Sequence, residues 1–418
     1  METLRIILAS DWYLPRKGGV ETAIYNLAKS LTEIGHEPIV LTHQNKDLLD
    51  PPLLDYSDGF HVVRLKVPLD GDDYTTSYKA ALLSFDFIKH NAPHIIHGHS
   101  LVSPYALLTI HGGKGILGIP TVLTHHSLIA DELNFRRRKM AAYALKRVDA
   151  LTAVSSIVRM DLEKINGGEE KIYLTPNCIR LKEWERTGRK YEGDPIVSFV
   201  SRLTERKNPL LVVEVFTKIL EYAPKAKLYI AGWGPLETRV LEEIGKRGLK
   251  GKAIYLGSLE RSQVRELLSS TDLFLMPGRK EAFSIATLEA LALGVPVIGF
   301  KNTGLEDIVI HGENGYLAND YNEFVGYSLR TVLNDRLRSK LSNKAMLSAG
   351  EFDCNQVVLR YLEVYKHAME KCSEEKRLFI YSLYRVLRGD PVKPGEWCDG
   401  RRLEYYKVQP KKSSVPHI

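Results

Sequence analysis

Cysteine is scarce. The 418 residues include four, Cys178, Cys354, Cys372 and Cys398, far apart and without a Cys-x-x-Cys pair. That rules against a zinc ribbon or a disulfide scaffold and fits a reducing compartment. Long apolar runs are also missing. The least polar stretch, Tyr105 to Thr124, is broken by His111, Lys114 and several glycines, and a membrane span needs about 20 mostly apolar residues. The N-terminus lacks the core of a signal peptide: Leu4 to Ala9 is short, contains Arg5 and runs into Asp11. A cytoplasmic protein is the expectation. Glycine (31) and proline (19) are too few for a collagenous or low-complexity chain, and 44% hydrophobic with 26% charged residues is ordinary for a folded one. Charge of one sign is in small excess, +7 in total. It is local. Arg136, Arg137, Arg138, Lys139, Lys146 and Arg147 lie in one short segment without an acid, and the tail from Ser373 has ten basic residues against six acidic. The remainder is near neutral, which argues against a nucleic-acid partner.

What is present is an alternation of short apolar runs and helical spacing. Leu4 to Ser10 reads as a strand. Val20, Ala23, Ile24, Leu27, Ala28 and Leu31 then repeat at helical spacing, and Gly35 closes the helix. The rhythm continues to Thr175. Leu181 to Asp194 breaks it, being charged and aperiodic. A second series begins at Ile196 and runs to Phe300, followed by helices. This pattern predicts two doubly wound α/β domains with parallel sheets covered on both faces. The expected boundaries are a first Rossmann-like domain at 1–180, a linker at 181–195, a second at 196–352, helices at 353–388 and an extended basic tail at 389–418.

Several loops after strands carry chemistry. Gly18 and Gly19 follow the first strand, where bare backbone N–H groups at a helix start can face an anion; a glycine pair alone is equally a plain turn. Ala231-Gly-Trp-Gly-Pro-Leu-Glu237 has Glu237 where a dinucleotide fingerprint needs its third glycine, and the chain has no Gly-x4-Gly-Lys-Ser/Thr loop. A nicotinamide or flavin cofactor is therefore not expected. Asp70-Gly-Asp72 has no further ligand cluster and reads as a solvated turn, so no metal site is expected. Arg202 and Lys207 follow the first strand of the second series and can oppose a diphosphate. Glu281-Ala-Phe-Ser-Ile-Ala-Thr-Leu-Glu289 places Glu281 before a helix capped by Ser284 and stopped by Gly294. Glu289 lies on its second turn. Two carboxylates can then accept from different hydroxyls of one ligand, with first-turn N–H groups between them.

These ordered motifs resemble the retaining glycosyltransferases of family 4, which have the GT-B fold of two facing Rossmann-like domains with C-terminal helices returning to the first. The resemblance covers Leu4 to Tyr365. It implies a donor site of Gly18, Gly19, Arg202, Lys207, Glu281, Phe283, Ser284 and Glu289. Of these, Arg202, Lys207 and Glu281, together with His126 of Thr124-His-His-Ser-Leu128, would be catalytic. Cys178 stands where glycine is commoner after Pro176-Asn177, and Ala282 where glycine or serine is usual. Within the family, Ser10 to Pro15, His97-Gly-His-Ser100 and Thr121 to Leu128 are most similar to the subgroup that adds N-acetylglucosamine to phosphatidylinositol, although His125 replaces its usual Asp. The implied reaction is metal-independent transfer, with no cofactor, from a UDP- or GDP-linked sugar to a lipid, polyisoprenoid or glycan hydroxyl. Two alternatives are a nucleotide-sugar 2-epimerase of the same fold and a non-catalytic subunit that binds a nucleotide sugar. The basic segment at 136–147 has helical apolar spacing and is either a solvated helix or a contact for anionic lipid at the inner face of a membrane.

Overall fold

Alternating apolar runs become two sheets. The computed structural model describes residues 2–43, 54–65, 84–85, 87–130, 133, 135–168 and 172–388. By contact the chain divides into Met1–Met369, which carries both sheets, and Glu370–Ile418.

The first sheet is built from β1 (Arg5–Ala9), β2 (Glu37–His43), β3 (Leu54–Ser57), β4 (Phe60–Leu65), β5 (Ile95–His99), β6 (Thr121–His125), β7 (Ala150–Ala153) and β8 (Ile172–Leu174), with α1 (Gly19–Glu33), α2 (Pro104–Leu117), α3 (Phe135–Leu145) and α4 (Ser156–Asn166) between them. The order across it is β3-β4-β2-β1-β5-β6-β7-β8. It is parallel except for β3, which runs antiparallel to β4. That edge strand is absent from the sequence reading because four residues at a sheet edge set up no recognisable period.

The second sheet has β9 (Ile196–Val200), β10 (Lys227–Ala231), β11 (Ala253–Gly257), β12 (Leu273–Met276), β13 (Val297–Phe300) and β14 (Gly315–Ala318), in the order β11-β10-β9-β12-β13-β14, all parallel. Around it run α5 (Pro209–Tyr222), α6 (Glu237–Lys246), α7 (Arg261–Ser270), α8 (Ile285–Ala292), α9 (Tyr321–Val332) and α10 (Asp335–Ala349). Central strands are buried on both faces, which is why they read as unbroken apolar runs. Strand order reverses at β1/β5 in one sheet and at β9/β12 in the other. Ligands of open α/β sheets sit at the carboxyl ends of strands at such points.

The segment read as a linker is packed. Trp184 is buried, the Arg186 guanidinium donates to the Leu293 carbonyl, and the Ser269 and Ser270 hydroxyls accept from the backbone N–H groups of Thr187 and Lys190. The last helix, α11 (Cys354–Arg388), begins beside the exit from β8. Cys354 N–H donates to the Ile179 carbonyl and Ile179 N–H to the Phe352 carbonyl. From there Val357, Val358, Tyr361, Leu362 and Tyr365 pack into one cluster with Ile6, Leu8, Ile24, Leu27 and Val122. In Glu370–Ile418 the described structure is the continuation of α11 to Arg388; the tail at 389–418 and Asp70-Gly-Asp72 lie outside the described residues.

One expectation is corrected here. Cys178 and Cys354 form a disulfide, with Cα atoms 4.8 Å apart and 176 residues between them in sequence. Spacing could not reveal a pair that only the side-by-side course of 176–179 and 352–354 brings together.

Candidate active site

The loop from β1 to α1 shows why its glycines are there. Glu21 is buried, and Arg16 holds it at 2.9 Å. A Cβ on Gly18 would stand 2.3 Å from the Glu21 carboxylate, so Gly18 makes room for that pair. A Cβ on Gly19 would meet nothing within 4 Å. The start of α1 is therefore open on that side, and its N–H groups carry the positive end of the helix dipole. Arg16 also lies over the Trp12 ring at 4.2 Å. Asp11 is not part of this anion site. Its carboxylate accepts from the Tyr105 N–H at the start of α2, and burial raises its pKa to about 7.

The opposite wall comes from the loop after β9. Gly232, at φ +133, sits so close to this loop that a Cβ would meet the Ser201 carbonyl at 1.8 Å. The Gly-x-Gly turn thus supports the segment that carries Arg202. Burial lowers the Arg202 pKa from its ordinary value, the like charges of Arg206 and Arg16 lower it further, and Glu21 and Glu281 oppose them. Arg16 from the first half and Arg202 and Arg206 from the second therefore share one electrostatic neighbourhood. Lys17 joins the halves directly: its ammonium reaches Glu260 at 2.6 Å and the Leu259 carbonyl at 3.2 Å. Neither Arg16 nor Arg206 stands out in the sequence, although both lie in strand-end loops that carry motif residues.

Lys207 and Glu281 form an ion pair, with side-chain exposures of 12% and 6%. The sequence named both but assigned them to different parts of a ligand. The Glu281 carbonyl accepts from the Gly304 N–H at 2.7 Å, and a Cβ on Gly304 would collide with the Ala282 carbonyl at 1.9 Å. Gly304 is a further residue the sequence did not flag. The Phe283 ring is core, packed edge-on to Phe352 with centroids 5.9 Å apart. Ser284 caps α8, accepting from the Thr287 N–H at 3.3 Å, at a φ of +82 that is strained for a non-glycine residue. Glu289 is on the second turn of α8. Desolvation raises its pKa to about 7 and the Arg261 guanidinium opposes the rise.

His126 follows β6 and is buried, its pKa lowered to about 4 by desolvation. It bonds His99, with His99 Nδ1 and His126 Nε2 3.1 Å apart. The neighbouring strand end, after β7, reaches the other half: the Ser155 hydroxyl donates to the Ala282 carbonyl at 2.5 Å. The end of β6 and the Glu281 loop are thus one strand and one hydrogen bond apart. Among the described residues no group of three or more His, Cys, Asp or Glu is placed to hold a metal ion.

The basic segment is α3 with the turn after it. Leu145 and Val148 are core, while Phe135 is 72% exposed. Arg138 donates to the Ala130 carbonyl at 3.0 Å and Lys139 lies over the Phe135 ring at 4.6 Å. The side chains of Arg136 and Arg137 lie outside the described residues; Lys146 and Arg147 are exposed.

Two family descriptions match the chain, "Glycosyltransferase Family 4" over residues 17–183 and "Glycosyl transferases group 1" over 182–347. One phosphatidylinositol N-acetylglucosaminyltransferase subunit, from Arabidopsis thaliana, is 26% identical over 73% of this chain and 69% of that protein. The Homo sapiens protein of the same name is 28% identical over 73% of this chain and 64% of its own length. Alpha-monoglucosyldiacylglycerol synthase from Streptococcus pneumoniae is 26% identical over 79% and 78%. Among solved structures, sucrose-phosphate synthase from Thermosynechococcus elongatus superposes with a TM-score of 0.76, covering 87% of this chain and 98% of that one at 18% identity. Anabaena HepE in complex with UDP and glucose superposes with a TM-score of 0.69, covering 86% and 98% at 15% identity. The shared fold is GT-B.

Proposed function

Because the chain belongs to the glycosyltransferases of group 1 and family 4, we propose that it moves a hexose, with retention, from a nucleotide diphosphate to a lipid hydroxyl. The observation that carries this is the electrostatic neighbourhood that Arg202 shares with Arg16, Arg206 and Glu281, with Glu281 paired to Lys207, in loops at the switch points of both sheets. The bond from the anomeric carbon to the diphosphate oxygen breaks, the acceptor hydroxyl oxygen bonds that carbon, its proton passes to the leaving phosphate, and negative charge grows on that phosphate as it departs. Fixed cations and the open start of α1 can stabilise that charge without a metal ion. Such preorganised charge is often the largest catalytic term.

The ion pair explains how the site stays stable without substrate. Two nearly buried charges neutralise each other, and losing one would strand the other. An entering diphosphate offers Lys207 a new partner. Glu281 is then released to accept hydrogen bonds from the sugar hydroxyls. In this reading Glu289 takes hydroxyls of the ribose. His126 lies on the first-half side, where the acceptor would attack from the same face as the leaving group.

UDP- and GDP-sugars both suit the cationic site. A lipid acceptor is favoured over a glycan because the relatives from plant, human and Streptococcus are named for work on phosphatidylinositol or diacylglycerol. The exposed Phe135 with Lys139 over its ring, in a segment whose Lys146 and Arg147 are also exposed, fits a role at an anionic lipid surface.

Transfer from a panel of UDP- and GDP-sugars to phosphatidylinositol and diacylglycerol tests this. Lys207→Ala should lower turnover by about 10²–10³. So should Lys207→Ala with Glu281→Ala, which leaves no unpaired charge. Near-normal turnover in the double variant, or an isomerised nucleotide sugar formed without acceptor, would overturn the reading.

A further inference from the structure

The His97-Gly-His-Ser100 motif is unused by the reaction described so far, and the structure sets His99 in hydrogen-bond contact with His126 and His97 against His99. We propose that His99 is a positioning residue that fixes the orientation and the tautomer of His126. His126 then presents Nδ1–H to the substrate and serves as a hydrogen-bond donor. This rests on the placement of His126 beside the reacting centre.

The geometry is specific. His99 is 1% exposed and bonds His126 from Nδ1 to Nε2 at 3.1 Å, the two rings meeting edge to edge with centroids 5.4 Å apart and planes 27° from each other. His97 supports it from behind, with ring centroids 4.2 Å apart. His97 in turn is held at both nitrogens, Nδ1 by the Tyr365 hydroxyl at 2.9 Å and Nε2 by the Thr124 hydroxyl at 2.7 Å. The His99 ring is therefore set between a pinned imidazole and His126. Burial holds all three histidines below their ordinary pKa, so each carries a single ring proton near neutral pH.

One proton lies between His99 Nδ1 and His126 Nε2, and it can belong to either ring. If His126 owned it, the His99 proton would sit on Nε2. Among the described residues no acceptor reaches that buried atom, and orphaned buried N–H groups are rare and costly. The proton therefore belongs to His99 Nδ1. His126 Nε2 accepts it, and the single proton of His126 goes to Nδ1. No hydrogen bond from the described residues occupies that Nδ1. A donor there suits oxygen atoms, whether sugar hydroxyls or the oxygen that gains charge as the leaving group departs. It also means that His126 is not the base that removes the acceptor proton.

Nitrogen-15 NMR of histidine-labelled wild-type protein tests the tautomer, with His126 assigned by its loss in His126→Gln. A protonated Nδ1 and a bare Nε2 are expected in the wild-type protein; the reverse pattern overturns the inference. Kinetics supply the second test. His99→Leu should lower kcat by about 10–100-fold, the scale of a misplaced reacting group, with little change in KM for the nucleotide sugar. His99→Asn, whose amide N–H can stand where Nδ1 does, should recover most of it. Equal losses in the two variants would reduce His99 to a packing role and sink the proposal. Full turnover in His126→Ala would instead remove the active-site assignment of His126, whatever the tautomer.

Discussion

A carboxylate set in an otherwise apolar helix is the residue-scale feature that needs an explanation, and Glu289 is one. Desolvation raises its pKa from an ordinary 4.5 to about 7. The folded protein therefore binds this proton more tightly than the unfolded chain does. Stability from this group is fully present below about pH 4.5 and is lost as pH rises through about 7. Glu289→Gln should match wild type in thermal midpoint at pH 5 and exceed it at pH 8. The same variant should raise KM for the donor at pH 8, because a carboxylate accepts hydroxyl bonds that an amide accepts less well. A wild-type midpoint as high as that of the variant at pH 8 would show that the charge carries no burden. Lys207 and Glu281 were also legible as residues, each from its own motif. Their pairing was not, because 74 positions separate them and nothing in a linear pattern couples two loops of one sheet edge.

At the scale of elements, loops after strands do the work and glycines set how closely they approach. Gly304 is the clearest case, since its N–H bonds the Glu281 carbonyl and its missing side chain leaves room for Ala282. Gly304→Ala should destabilise the protein by about 1–3 kcal/mol, the usual cost of forcing atoms into a packed site. Urea denaturation reads the loss, and a donor KM that rises with it would show that the loop positions Glu281. An unchanged midpoint would mean that the two loops can part freely. Helices were well marked in sequence where caps and apolar spacing agreed, as in α1 and α8. The short edge strands β3 and β14 were not, because four residues contain too few alternations to define a face.

For the molecule as a whole, the positive excess lies in segments outside the donor motifs, whose acids and bases largely offset each other. Among the described residues no helix is long and apolar enough to cross a membrane. The proposed lipid acceptor would bring the basic segment at 136–147 to a bilayer surface. Replacing Lys139, Lys146 and Arg147 with serine removes three charges at about 1 kcal/mol each near an anionic bilayer, roughly a hundredfold in partitioning. Vesicle sedimentation with phosphatidylserine checks it; binding equal to wild type, or binding indifferent to anionic lipid, would sink the surface role. The disulfide between Cys178 and Cys354 is a whole-molecule feature too, joining the exit of the first sheet to the start of the last helix.

The sequence by itself determined the two parallel-sheet series, the capped helix at Ser284 and the identity of the charged loop residues. Those features are local: they rest on periods, caps and the fixed order of strand, loop and helix. Only the tertiary structure decided which loops meet. It brought Arg16 to Arg202, closed Lys207 on Glu281, set His99 against His126 and joined Cys178 to Cys354. The reason is physical. Charge interactions and hydrogen bonds act over a few ångströms, and packing two sheets brings together residues that the chain holds tens or hundreds of positions apart.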